Sequence, residues 1–124
     1  MLFRSTPEPL PSVSFEQFTN LDLRVATITS AELHPNADRL LKIQLDDGTP
    51  EGRQVCAGIK AWYDPADLVG TQVVIVANLE ARTIRGETSQ GMIMAASALG
   101  EDGDKESVCV LRVDKPVPPG SKVS

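Results

Sequence analysis

The sequence predicts an all-β domain folded as a small closed barrel. Two observations carry the prediction. Short apolar runs, either of period two or of unbroken β-branched character, recur between turn signals along most of the chain. A single compact helix signature interrupts them, after the third run. The chain of 124 residues has the size of one domain, and 41% hydrophobic with 23% charged residues is a globular composition.

Residues 1–13 hold Pro7, Pro9 and Pro11 and no periodicity, so they read as a flexible Pro-rich arm ahead of an ordered domain over 14–124. Ser14 and Gln17 have capping-box spacing, which predicts a helix of one or two turns up to Asn20. Leu21, Leu23, Val25 and Thr27 then alternate with Asp22, Arg24 and Ala26 as a first strand with one buried face. Leu41, Ile43 and Leu45 alternate with Lys42, Gln44 and Asp46 as a second, closed by the turn residues Asp46, Asp47 and Gly48. The third, Gln54 to Ala57, stops at Gly58. In the helix signature Asp64 suits the cap, Pro65 the first helical position and Gly70 the exit.

Gln72 to Asn78 is β-branched without alternation, as expected of a strand buried on both faces. Gly91 to Ala96 and Ser107 to Val113 are two further strands about a turn at Gly100 to Asp104. The tail from Pro116 to Val123 has three prolines and predicts only a short edge strand. A helix between strands three and four selects one architecture: an OB-fold, the five-stranded Greek-key barrel, with short terminal extensions.

The composition excludes several functions. A net charge of -5, from 12 basic and 17 acidic residues, argues against a general polyanion binder, so any RNA role needs local basic chemistry. The longest apolar runs, Val73 to Ala77 and Met92 to Ala96, fall far short of the roughly 20 residues that span a bilayer. The start lacks the apolar stretch of a secretory signal, which predicts a cytoplasmic protein.

Cys56 and Cys109 are the two cysteines, with no C-x-x-C pair; they read as partly buried small hydrophobes, with no metal site. His34 is the single histidine and stands before Pro35-Asn36, where a solvated turn residue is expected rather than a catalytic base. The carboxylates at Asp46, Asp47 and Glu51, and at Glu101, Asp102, Asp104 and Glu106, read as solvated turns. No phosphate-cradling glycine motif occurs. No catalytic residue and no cofactor is assigned.

Two polar loops remain. Leu33 to Leu40 joins the first two strands and Arg82 to Met92 follows the fourth, and in an OB barrel these loops flank the oligonucleotide-binding face. They carry Asn36, Arg39, Arg82, Arg85, Ser89 and Gln90, donor types that reach phosphates and ribose hydroxyls. Arg24, Lys42 and Lys60 extend one basic patch or serve as scattered solubilising charge. Trp62, Tyr63, Phe15 and Phe18 are placed for packing rather than for base stacking, so shape recognition of a folded RNA fits better than single-strand stacking.

At Leu23-Arg24-Val25, His34 to Leu40, Val55 to Ile59, Val76 to Leu79 and Gly86 to Met92 the chain resembles the tRNA-binding domain family, over about residues 15–123. That family includes the carboxy-terminal extension of methionyl-tRNA synthetase, free-standing bacterial tRNA-binding proteins and CsaA-type export chaperones. The resemblance implies an OB-fold protein that recognises folded tRNA by shape and backbone without catalysis, assists aminoacylation, and has an aminoacyl-tRNA synthetase as partner. Asn36, Arg85, Ser89 and Met92 match its motifs; Arg39, Lys42, Lys60, Arg82 and Gln90 join them by location. Met92 suits packing of the barrel mouth as well as RNA contact.

The resemblance also implies a homodimer joined through Phe15, Phe18 and Leu21 with the segment from Val117 to Val123. The alternative is a CsaA-like chaperone that binds unfolded polypeptide in a groove between the subunits. With Met1 at its start, the chain is expected to be an independent protein.

Overall fold

In the computed structural model the described residues are 8–124; residues 1–7 of the predicted arm lie outside them. Residues 8–14 are exposed and without regular structure. Helix α1 (Phe15–Phe18) opens with the capping box: Gln17 N–H donates to Ser14 Oγ at 3.0 Å and Ser14 N–H to Gln17 Oε1 at 2.9 Å. It buries nothing, and Phe15 and Phe18 stand 79% and 37% exposed. Their expected packing within the chain is therefore corrected, because so short a helix reaches no core. Asn78 anchors the helix exit, accepting from Asp22 N–H at 2.8 Å and donating to the Asn20 carbonyl at 2.7 Å.

The barrel is an antiparallel sheet of β1 (Leu23–Leu33), β2 (Leu41–Asp46), β3 (Arg53–Ala57), β4 (Gln72–Val76) and β7 (Met92–Ile93), in the order β3-β2-β1-β4-β7. Its first strand is long enough to serve both sides: residues 23–27 pair with β4 and 27–33 with β2. A bulge between Ile28 and Ser30 turns it between those partners. Leu23 and Val25 are buried, as the alternation predicts, but the residues of β1 in the core cluster are Ala26 and Ile28. The C-terminal segment lies along β1 instead: Val25 N–H donates to the Ser121 carbonyl, Gly120 N–H to that of Val25, and β10 (Lys122–Val123) pairs with Leu23 and Arg24.

The core follows the predicted alternation of β2 and the unbroken run of β4. Ile28, Leu41, Ile43, Val55, Val73 and Ile75 are fully buried, and α2 (Pro65–Leu68), with Asp64 as its cap, inserts Leu68 among them. Each such side chain contributes about 1.5–3 kcal/mol of transfer free energy. Trp62 and Tyr63 pack against this cluster as expected, and the Tyr63 hydroxyl accepts from Val110 N–H at 3.1 Å.

Two elements depart from the sequence reading. The segment Gly91 to Ala96 is broken at Met94, where the chain leaves the barrel; Met94 N–H donates to the Val74 carbonyl and Leu111 N–H to that of Met94. Beyond it β8 (Ala95–Leu99) and β9 (Lys105–Val110) form a separate hairpin. The second polar loop is itself a hairpin, β5 (Arg82–Ile84) with β6 (Glu87–Ser89). No helix among the described residues is long and apolar enough to cross a membrane.

Candidate nucleic-acid interface

Sequence and backbone geometry together build the β5–β6 hairpin. Ile84 pairs with Glu87, leaving a two-residue turn of Arg85 and Gly86, both at positive φ (51° and 90°). Such turns match the twist of the flanking strands but favour glycine or asparagine at both positions. Arg85 is the only non-glycine residue at positive φ among the described residues. It is exposed at the hairpin tip.

His34 and Asn36 lock the first loop to this hairpin. The His34 ring, expected in solvent, is 5% exposed. Its Nδ1 accepts from Asn36 N–H at 3.0 Å and its Nε2 lies 2.9 Å from the Ile84 carbonyl, so the partners place the ring proton on Nε2. Asn36 Nδ2 donates to the Arg85 carbonyl at 3.1 Å. Asn36, Arg39, Ile84 and Arg85 thereby line one recess between the two loops.

The base of the hairpin closes the barrel against β3. Ser89 is 4% exposed; its hydroxyl accepts from Cys56 N–H at 3.0 Å and donates to the Gly91 carbonyl at 3.2 Å. Gln90 exchanges backbone and side-chain bonds with Gln54, N–H to carbonyl at 2.7 Å and Oε1 from N–H at 3.0 Å. Gly91 has φ 114°, and a Cβ there would stand 2.6 Å from the Val76 carbonyl oxygen, so only glycine fits this close approach.

Arg53, which the sequence reading did not single out, ties the closure together. It donates through Nε to Asp47 Oδ2 at 2.9 Å and through one terminal nitrogen to the Ala77 and Gln90 carbonyls, each at 2.8 Å. Burial pushes the Asp47 carboxyl up, but hydrogen bonds from Thr49 and Arg53 outweigh it and leave the pKa below its ordinary value. Asp47 is 8% exposed, so its expected solvation as a turn residue is corrected.

The cations divide by partner. Lys42 Nζ lies 3.2 Å from Glu32 Oε1 and 3.6 Å from Glu87 Oε1, and the Glu32 hydrogen bond, with smaller help from Glu87, raises its pKa against desolvation. Arg24 is engaged by Asp22 at 2.6 Å and by the Gly120 carbonyl at 3.1 Å. Arg39, Lys60, Arg82 and Arg85 are exposed, and no carboxylate of the described residues lies within ion-pair range of them.

The structure therefore gathers Asn36, Arg39 and Arg85 at one recess and Arg82, Ser89 and Met92 about a second. Lys60 lines neither and stands on the connection after β3. Of the two cysteines, Cys56 is half-buried beside Ser89, while Cys109 is exposed on β9, against its expected partial burial, because its side chain takes the outer face between buried Val108 and Val110. Phe15, Phe18 and Leu21 are each exposed, and Val117 and Val123 are half-buried.

Residues 23–122 match the family model described as "Putative tRNA binding domain". The chain belongs to the tRNA-binding domain family. Over 93 residues, three-quarters (75%) of its length, this tRNA-binding domain is 57% identical to a methionine-tRNA ligase of Chlorobium limicola. It is 47% identical over 111 residues to that of Thermococcus kodakarensis. It spans only 13% and 14% of those two proteins.

Among solved structures, the MetRS related protein from Pyrococcus horikoshii superposes with a TM-score of 0.80 at 29% identity, covering 93% of this domain and 100% of that chain. The chaperone CsaA of Bacillus anthracis gives 0.75 at 32%, covering 92% and 100%.

Proposed function

We propose that this domain binds folded tRNA by shape and backbone, without catalysis, through the exposed cations of its two locked loops. Arg85 at the hairpin tip and Arg39 opposite supply charge to phosphates, Asn36 fixes their spacing, and Arg82 extends the track toward Met92. Ser89 and Gln90 support this surface from below, Lys42 is held in ion pairs behind it, and Lys60 supplies charge beside it. The observation that carries the reading is the pair of unpartnered arginines on two loops joined by His34 and Asn36, inside the family's matched segment.

In this reading the domain acts in the cytoplasm beside an aminoacyl-tRNA synthetase and raises the local tRNA concentration there. A homodimer through Phe15, Phe18, Leu21, Val117 and Val123 doubles the cationic track. The mechanism needs no metal or cofactor.

Similarity to a CsaA chaperone and the exposed Phe15, Phe18 and Leu21 favour a second reading, binding of unfolded polypeptide. Fluorescence anisotropy of labelled bulk tRNA at about 100 mM salt, where phosphate contacts still contribute strongly, separates the two. Saturable binding displaced by unlabelled tRNA, but by neither duplex RNA, single-stranded RNA nor unfolded polypeptide, supports the first. Displacement by the polypeptide supports the second.

A further inference from the structure

At the foot of the β5–β6 hairpin a slot of about 470 Å³ opens on the outer surface of the barrel. Its apolar side is Leu79, Ala81 and Met92, with Leu79 and Met92 left 45% and 47% exposed. Cys56 and Ser89 also line it, but the Ser89 hydroxyl is already engaged at both ends of its hydrogen-bonding range. Burial, and secondarily the Glu87 charge, push the Cys56 thiol up, with Lys42 opposing, so the thiol is neutral near pH 7. Among its lining residues only Arg82 and Glu80 are charged.

We infer that this slot receives one unstacked nucleobase of the bound RNA. The inference rests on the tRNA-binding reading above and adds an apolar contact to its phosphate contacts. Arg82 belongs both to the slot and to the hairpin, and it lies three strand residues, roughly 10 Å, from Arg85 at the tip. A ligand that follows these arginines carries a charged backbone, and the part it presents to the apolar side of the slot, Leu79, Ala81 and Met92, is a flat ring. The Met92 thioether suits the face of such a ring, as sulfur–aromatic contacts do. Glu80 is acceptor-only, so it repels a phosphate and favours a base edge with N–H donors. An apolar side chain of an unfolded polypeptide would fill the slot without drawing on either arginine.

Alkylation of Cys56 reads occupancy of the slot directly, and exposed Cys109 serves as the control within the same chain. With the intact protein and saturating bulk tRNA, N-ethylmaleimide followed by peptide mass spectrometry should show Cys56 modified at least about tenfold more slowly and Cys109 unchanged. Met92→Ala, at an exposed position, should weaken tRNA binding about three- to tenfold and restore much of the Cys56 reactivity. Its log K against log salt slope should match the wild type, because a base contact releases no counterion.

If tRNA binds while Cys56 reacts at its free rate, or if Met92→Ala lowers the salt slope together with the affinity, the slot holds no base and the tRNA reading stands. Failure of tRNA to bind in the anisotropy assay overturns both, whereas protection of Cys56 by unfolded polypeptide and not by tRNA overturns the slot inference alone.

Discussion

Replacing Arg85 by Asn should strengthen the fold and weaken RNA binding. Arg85 sits at φ 51° in a turn where a non-glycine side chain crowds the following carbonyl. That conformation costs about 1–2 kcal/mol for an ordinary L-residue, and asparagine is among the residues that adopt it most readily. The turn's other bonds survive the change, since Asn36 Nδ2 reaches the backbone carbonyl of residue 85 and not its side chain. Arg85→Asn should therefore stabilise by about 0.5–1 kcal/mol, which for a domain of this size raises Tm by about 2–4 °C.

Binding moves the other way. Losing one phosphate contact lowers the salt slope by about 0.7–0.9. At about 0.1 M salt that corresponds to a five- to eightfold weaker complex, about 1.0–1.2 kcal/mol. Thermal unfolding and anisotropy titrations from about 50 to 300 mM salt measure the two effects on one preparation. Arg85→Lys keeps the charge and the strain, so it should leave slope and Tm close to the wild type. An Arg85→Asn protein that binds with an unchanged slope, or that melts lower, would refute the argument that Arg85 holds a strained conformation for its charge.

Ser89→Ala leaves the half-buried Cys56 N–H without its acceptor and should cost about 1 kcal/mol of stability with tRNA affinity within about twofold; a large affinity loss at unchanged Tm would make Ser89 an RNA ligand. The Asp47 carboxyl is depressed in the folded state, so the unfolded chain binds the proton more readily and the stabilisation, present above the unfolded pKa of about 4, is lost as pH falls below it. Asp47→Asn should thus be less stable than wild type near pH 7 in urea unfolding, with the gap narrowing below about pH 4; a gap that persists there would assign the loss to packing. Phe15→Glu should shift a dimer toward monomer in sedimentation equilibrium, since Phe15 is the most exposed apolar residue of the proposed interface; a wild-type monomer would remove this interface.

The elements that burial dictates were legible in the sequence: Leu41, Ile43 and Leu45 alternate because one face of β2 is core, and Val73 to Val76 run unbroken because β4 is covered on both sides. Local chemistry announced both helices through Ser14 with Gln17 and through Asp64 with Pro65. The β5–β6 hairpin escaped because its strands, Arg-Thr-Ile and Glu-Thr-Ser, have no apolar period; the signal that marks it is Gly86 flanked by β-formers Thr83, Ile84 and Thr88. The partners of His34, Lys42 and Arg53 could not be read, since Ile84 is 50 residues from His34 and Gln90 is 37 from Arg53. Composition counted 12 cations, whereas pairing decides which of them face solvent.

The consequence is that the two loops are fixed to one another before any RNA arrives. A free loop would lose backbone entropy of about 1–2 kcal/mol per residue on ordering, which would come out of the binding free energy. His34 removes that cost by holding Asn36 and Ile84 from its two ring nitrogens. His34→Ala leaves every cation in place, so the salt slope of tRNA binding should be unchanged. Affinity should nevertheless fall about tenfold, with amide exchange faster in the first loop and at the hairpin tip, because one or two residues then order only on binding. Equal affinity with faster exchange would show that the lock serves the fold alone. A loss of slope would show instead that the loops must be joined for both arginines to reach phosphate at once.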